Sequence, residues 1–310
     1  MALLKVDDLK IHFPIRGGIL NRVVDNVKAV DGVSFEVKQG ETYGLVGESG
    51  SGKTTTGKAV MGLNNITSGD IYFEDGHLNA EKGKKIDVRK DIQMIFQDPY
   101  SSLNPRKRVA DIVAEPFRNY EKLSKDEELK KVRELLQRVG ISADSLYKYP
   151  HEFSGGQRQR IGVARAIALN PKLIIADEPV SALDVSVQAQ VLNFLQDIQE
   201  ELDLTLFFIA HDLGVIKHMC DRIGIMYQGR LVEEGLTEEI FNNPQHIYTK
   251  RLVAAIPDVD PRNRQKHQSY RAQVKEEYQQ SFYDYFDDEG LAFNLKHITD
   301  THKVALPERG

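Results

Sequence analysis

The eight residues Gly47-Glu48-Ser49-Gly50-Ser51-Gly52-Lys53-Thr54 constrain this chain more than any other stretch. They match a phosphate-binding loop at every fixed position: a glycine, four variable residues, then Gly-Lys-Thr. The flanks agree. An apolar run, Tyr43-Gly44-Leu45-Val46, reads as a buried strand entering the loop, and a helix from Thr55 to about Leu63 reads as leaving it. Glycines let successive backbone N–H groups turn inward around an anion, and the helix N-terminus adds partial positive charge. Lys53 is expected to reach the β- and γ-phosphates of a nucleotide, and the Thr54 hydroxyl to help hold Mg²⁺. The bland alternative is an ordinary glycine-rich turn, which seldom reproduces all the fixed positions with both flanks.

Around that loop the chain must build a core. With 310 residues, 41% of them hydrophobic, it suffices for one large domain with an appendage or for two modest ones. A net charge of −5 gives no broad basic signal, so nucleic acid is not an expected partner. Cys220 stands alone, which excludes an internal disulfide framework and any cysteine-based zinc or iron–sulfur site made by this chain, and it suits a reducing cytosol. No apolar run approaches the roughly 18–20 residues a membrane-spanning helix needs. The N-terminal residues lack the layout of a signal peptide. The expectation is a cytosolic protein that meets a membrane only through a partner.

Short β-branched and aromatic runs recur at Val33–Val37, Thr42–Val46, Ile92–Phe96, Leu173–Ala176, Thr205–Ile209 and Ile223–Tyr227. Several are almost continuously apolar, as strands buried on both faces are. Gly229 and Arg230 make a tight connection to a hairpin-like ending at Leu231–Glu233. Between Ser101 and Pro150 the pattern turns helical. Ser124 and Glu127 form a capping-box pattern, Leu129, Val132, Leu135, Leu136 and Val139 fall on one face, and Gly140 reads as the stop. Tyr43 and Phe35 read as core residues. Beyond about Pro257 periodicity fades, and a loosely ordered tail is expected there.

Two further stretches carry chemistry. Leu173-Ile174-Ile175-Ala176-Asp177-Glu178 is a buried strand ending in two acids. In a chain with a phosphate loop, Asp177 is the candidate for positioning Mg²⁺, and Glu178 for polarising an attacking water. An acidic pair at a strand end is otherwise most often a solvated loop start. Ser154-Gly155-Gly156-Gln157 opens a helix with a second anion-binding nest, distant in sequence from the first. Alone it would be an N-capped surface helix. Beside the loop, it makes sense if it closes over the nucleotide of another subunit.

At this point the chain resembles the ABC ATPases. Ser154-Gly155-Gly156-Gln157-Arg158-Gln159-Arg160 is similar to their signature motif, with Phe153 in place of the family's leading leucine, followed by a helix over Ile161–Leu169. Gln97 resembles the Q-loop glutamine that contacts Mg²⁺ and the attacking water. Ser181-Ala182-Leu183-Asp184 resembles the D-loop, which communicates across a dimer, and His211 the switch histidine at the γ-phosphate. Phe13 resembles the aromatic that stacks on adenine, although an aromatic in an early strand is as often core. The resemblance covers about Leu3 to Ile256. It implies an α/β P-loop NTPase core with a mainly parallel sheet, an N-terminal antiparallel β part and a helical insert. The implied nucleotide set is Phe13, Gly47 to Thr55 and Ser154 to Gln157. Glu178, His211, Gln97 and Lys53 would act in catalysis, and Thr54, Gln97 and Asp177 on Mg²⁺, with ATP as the nucleotide.

Gln97-Asp98-Pro99-Tyr100-Ser101-Ser102-Leu103-Asn104-Pro105-Arg106 is similar to a stretch of the oligopeptide and dipeptide importer ATPases. So is Asn243-Pro244-Gln245-His246-Ile247-Tyr248-Thr249-Lys250-Arg251-Leu252, where His246-Ile247-Tyr248 replaces the usual His-Pro-Tyr. The residues His12–Gly18 and Val27–Gly32 resemble the F-type subunit. That resemblance implies a core over residues 1–240 with its insert at about 101–155, and a partly irregular extension over 241–310. It implies a heterodimer with a D-type ATPase beneath two membrane-spanning permease subunits, fed by an external peptide-binding protein, at the cytoplasmic face of the membrane. A metal-chelate or glutathione-type cargo, a soluble ABC ATPase and a non-catalytic regulatory module stay open as alternatives. The cargo itself is not legible in a subunit that does not touch it.

Overall fold

The structure, a computed structural model, describes residues 2–18, 21–79, 87–98, 100–257, 262 and 264–307. Met1, Pro99 of the importer-like stretch, and residues 258–261, 263 and 308–310 of the extension lie outside the described residues.

The chain begins with β1 (Ala2–Gly17), β2 (Arg22–Lys38), β3 (Thr42–Val46), α1 (Lys53–Val60), β4 (Ser68–Phe73) and β5 (Gly76–His77). It continues with β6 (Ile92–Ile95), α2 (Val109–Tyr120), α3 (Lys125–Arg138), α4 (Gly155–Ile167), β7 (Leu173–Asp177), α5 (Val185–Leu202) and β8 (Thr205–Ala210). It ends with α6 (Leu213–Met219), β9 (Arg222–Tyr227), β10 (Arg230–Leu236), α7 (Thr237–Asn242), α8 (Ile247–Ala255), α9 (Arg264–Gln280), β11 (Leu295–His297) and β12 (Lys303–Ala305). Every strand read from an apolar run is present. The loop helix starts at Lys53, earlier than its apolar face suggested, because Gly52 is its N-cap. Likewise α4 starts at Gly155, because Ser154 and Gln157 form a capping box there.

Two compact units result, Met1–Lys85 with Ile209–Gly310, and Ile86–Phe208. In the first, β2-β1-β4-β5 form an antiparallel sheet. A second set of strands runs in the order β11-β12-β10-β9-β3, parallel between β3 and β9 and antiparallel elsewhere. In the second unit β6 and β7 lie side by side and run parallel. All residues of β3, β7 and β8 are buried, which is why their sequences show no polar alternation. The same unit holds α2 and α3, and the Ser124–Glu127 capping box opens α3 as expected.

Buried carboxylates organise the first unit. Tyr43 stacks on Phe35 with ring centroids 5.0 Å apart, so both are core residues, and the Tyr43 hydroxyl donates to Glu234 at 3.2 Å. Glu234 also accepts from Arg222 at 2.9 Å and Lys303 at 2.8 Å. Its neighbour Glu233, fully buried, accepts the backbone N–H groups of Gln245 (2.8 Å) and His246 (2.9 Å) and lies 2.7 Å from His302 Nε2. Between β9 and β10, Gln228 and Gly229 both take left-handed φ, the geometry of a type I′ hairpin turn.

These contacts overturn the expectation of a loosely ordered tail. Residues 264–280 form a helix, and β11 and β12 add to the sheet, with Val304 opposite Glu233 and Lys303 opposite Glu234. Phe286 is buried against Tyr227 and His246, and Arg230 donates to the Ala292 carbonyl at 2.9 Å. The tail buries itself through ion pairs and ring edges rather than a periodic apolar stripe, so hydrophobic periodicity did not reveal it.

His246 caps α8, its Nδ1 accepting the Tyr248 N–H at 3.1 Å, and burial lowers its pKa to about 3. An unfolded histidine titrates near 6.5, so as pH falls the unfolded chain takes up this proton first. The contribution is fully present above about pH 6.5 and is lost progressively as pH falls towards 3. His246→Asn keeps a capping side chain but cannot titrate. Thermal melts from pH 7 to 4 are expected to fall less steeply for this variant than for the wild type; parallel curves would remove His246 as a source of the acid sensitivity.

Candidate functional site

In the first unit, β3 delivers the chain into the loop and α1 takes it away. Glu48, Ser49 and Gly50 form an exposed crest, whereas Ser51 and Lys53 are buried. Lys53 Nζ lies under the crest, donating to the carbonyls of Gly47 at 2.7 Å and Glu48 at 2.9 Å, with Ser51 Oγ at 3.5 Å. Two positions have no room for a side chain. A Cβ on Gly47 would sit 2.1 Å from the Met226 carbonyl oxygen, and one on Gly52 2.2 Å from that of Ala29. Gly52 also takes φ +104, a left-handed value that glycine alone adopts without strain. No side chain caps α1, whose N-terminus opens on the loop, and Thr54 and Thr55 lie half-buried in its first turn. The donor set therefore fits a polyphosphate: a cation and hydroxyls around one helix start.

His211 follows directly on β8 and is exposed. Phe13 stands on β1 opposite Val27, 44% exposed, which makes it an available ring rather than a core one.

The second unit carries the acidic group. β7 ends at Asp177, which is 3% exposed. Glu178, the next residue, has φ +46, a strained value for a residue with a side chain. Ser181 holds that conformation: its N–H and hydroxyl both donate to the Glu178 carbonyl, at 3.2 and 3.1 Å. Gln97 Nε2 donates to Glu178 Oε2 at 3.0 Å. The structure thus brings Gln97, Glu178 and the start of the D-loop-like segment together. Ser154 Oγ accepts the Gln157 N–H at 3.3 Å while Gln157 Oε1 accepts the Ser154 N–H at 3.0 Å. Both acceptors are used in capping, and the Ser154 hydroxyl hydrogen remains for an anion. Gly155 and Gly156 pack beneath Leu183 and Val187. Two arginines of α4 fasten the importer-like stretch: Arg158 lies 4.2 Å from the Tyr100 ring centroid, and Arg165 donates to the Ser102 carbonyl at 2.8 Å.

Sequence reasoning missed two residues at the phosphate loop. The Tyr248 hydroxyl accepts the Glu48 N–H at 3.2 Å, and Arg251 Nη2 lies 2.6 Å from Glu48 Oε1. Burial pushes the Tyr248 hydroxyl up to about 12, so it is neutral at physiological pH. The partners lie about two hundred positions apart in the chain, and no spacing rule connects them.

A glycine-walled anion cradle, an acidic strand end with its glutamine and a serine-capped signature helix are the parts of an ATP-binding cassette. Comparison with known proteins agrees: the family described as ABC transporter matches residues 30–181. The family described as oligopeptide/dipeptide transporter, C-terminal region, matches residues 232–281. The oligopeptide transport ATP-binding protein OppF of Lactococcus lactis is 52% identical over 99% of this chain and 97% of its own length. OppF of Bacillus subtilis is 48% identical over 99% of this chain and 96% of its own. Among solved structures, a cassette titled as a dimeric post-hydrolysis state bound to ADP and Pi superposes with a TM-score of 0.66. It is 26% identical and covers 76% of this chain and 98% of its own. The chain belongs to the ABC transporter ATP-binding proteins, in their oligopeptide/dipeptide branch.

Alanine at Gly47 or Gly52 drives a Cβ into a backbone carbonyl that cannot swing away. Either substitution is expected to cost about 2 kcal/mol or more and to weaken MgATP binding at least about tenfold, equivalent to some 1.4 kcal/mol. Calorimetric titration and thermal melting check both; wild-type affinity with Gly52→Ala would mean the wall is not as rigid as the contacts imply.

Proposed function

We propose that this chain is the ATP-hydrolysing subunit of an importer, powering uptake of oligopeptides or dipeptides through membrane partner subunits. The observation that carries this reading is the joining, in one chain, of the phosphate loop and a C-terminal region of the oligopeptide/dipeptide type. Full-length likeness to OppF proteins supports a peptide cargo. A glutathione import ATP-binding protein of Pectobacterium atrosepticum is 48% identical over 86% of this chain, which spans 43% of that protein. Glutathione-type cargo is therefore the second reading.

ATP binds with its phosphates on the Gly47–Thr55 amides and hydroxyls, and Lys53 turns from the loop carbonyls to the β- and γ-oxygens. Phe13 offers a face for the adenine. The Ser154–Gln157 nest of one ATPase subunit meets the nucleotide of its partner, so binding joins the pair. The Gln97 amide donates to Glu178 Oε2, and the Glu178 carboxylate accepts a proton from the attacking water. His211 contacts the γ-phosphate and, with Lys53, stabilises the charge that develops in line. Mg²⁺ would neutralise the phosphate oxygens, and Thr54, Gln97 and Asp177 are the residues to hold it. Among the described residues no three His, Cys, Asp or Glu side chains gather as a metal site. That suits a cation held by a single carboxylate, Asp177, with neutral side-chain oxygens, phosphates and water completing its shell.

The partner is a second, D-type ATPase subunit, and the pair works beneath two permease subunits served by an external peptide-binding protein. Dimeric cassettes among the similar structures support the pairing. No helix among the described residues is long and apolar enough to cross a membrane, which fits a peripheral subunit held at the cytoplasmic face by its partners. Tyr100–Arg106 and the helical insert carry closure to the permease. ATP must favour the closed pair over the open one for anything to be driven.

In the assembled transporter, Glu178→Gln is expected to lower phosphate release at least about a hundredfold with ATP binding retained. Turnover at the wild-type rate would take Glu178 out of the chemistry. Uptake of labelled peptides by a strain lacking the gene is expected to return with the wild-type chain and not with Lys53→Ala; recovery of glutathione uptake alone would move the cargo to the second reading.

A further inference from the structure

The loop peptide between Gly47 and Glu48 is held from both sides. Its carbonyl, on Gly47, accepts Lys53 Nζ at 2.7 Å, and its N–H, on Glu48, donates to the buried Tyr248 hydroxyl at 3.2 Å. The bond to its N–H restrains rotation of the peptide plane, so Tyr248 still holds the loop when Lys53 leaves the carbonyl for phosphate. One turn along α8, Arg251 reaches the Glu48 carboxylate at 2.6 Å. Its guanidinium also lies over the rings of Tyr248 and Tyr278, 5.2 and 4.6 Å from their centroids. An exposed ion pair alone would contribute little, but a cation seated on two aromatic faces has its geometry fixed in advance. Behind Tyr248 the ring of Tyr227 packs at 4.7 Å, and the residue before Tyr227 is Met226, whose carbonyl walls Gly47. Strand β9 and helix α8 therefore both meet the loop entrance.

We propose that Tyr248 and Arg251 are positioning residues for the phosphate loop, so that the C-terminal region sets the affinity of the site for nucleotide. The inference rests on the reading of Gly47–Thr54 as that loop. Its physical content is preorganisation: a loop already held in its binding shape loses less freedom when the phosphates arrive. Neither residue touches the reacting atoms, so their loss acts on binding more than on turnover. The competing explanation is a core tyrosine that merely needs a partner for its hydroxyl.

The test is calorimetric titration of MgATP into the full chain, wild type against Tyr248→Phe, Arg251→Gln, Arg251→Lys and Lys53→Ala, read well below the lowest melting temperature of the set. Tyr248→Phe keeps the ring and removes only the acceptor. It is expected to weaken binding about fivefold to tenfold, and Arg251→Gln about threefold, with Arg251→Lys recovering part of the loss. In the assembled transporter KM for ATP is expected to rise by the same factors, with kcat at saturating ATP within about twofold of wild type. If Tyr248→Phe and Arg251→Gln bind MgATP as the wild type does, whether or not they melt earlier, the two residues are scaffold and the inference is overturned. Unchanged binding by Lys53→Ala would instead sink the phosphate-loop reading itself.

Discussion

Backbone amides can converge on one anion only where no side chain occupies the inner wall, and two carbonyls from other strands impose that condition here. Met226 of β9 closes on Gly47, and Ala29 of β2 closes on Gly52. Neither strand neighbours the loop in sequence, so the anion cradle exists only once the first unit has folded. Lys53 is placed by other carbonyls, those of Gly47 and Glu48 in the loop itself. The N-terminus of α1 carries no side-chain cap, and its partial positive charge lies at the loop.

The acidic half of the chemistry is organised by strain. Glu178 in a left-handed conformation costs on the order of 1–3 kcal/mol, and it persists because Ser181 fastens its carbonyl twice. The backbone reversal turns Glu178 away from the course of β7 while Asp177 stays buried at the strand end. Two adjacent carboxylates thereby enter different environments. The Gln97 amide then orients one oxygen of the pair.

The C-terminal extension adds strands and an ionic core to the first unit. Glu233 satisfies two backbone donors and His302, and Glu234 satisfies Tyr43, Arg222 and Lys303, so few of these buried lone pairs are unmet. Removing one partner would strand a buried charge, which is costlier than the pair is favourable. Tyr227, Phe286 and His246 fill the space beside them with tilted and edge-on rings. An extension built this way is ordered without any amphipathic stripe of its own.

Local chemistry made much of this legible. The acidic strand end, the Ser154 and Ser124 caps and the apolar strands are decided by neighbours a few residues apart, and each appears where the sequence puts it. The tail was misjudged because its burial depends on charge pairing across about seventy positions, as between Glu234 and Lys303, and such partners leave no periodic trace. The sequence by itself determined that this chain cradles phosphate and, through the order of its motifs, which family it joins. Only the tertiary structure decided why the cradle is glycine, what bends Glu178 and what grips Glu48. Those depend on carbonyls, hydroxyls and guanidinium groups brought in from distant segments, where a contact is set by packing in space rather than by spacing along the chain.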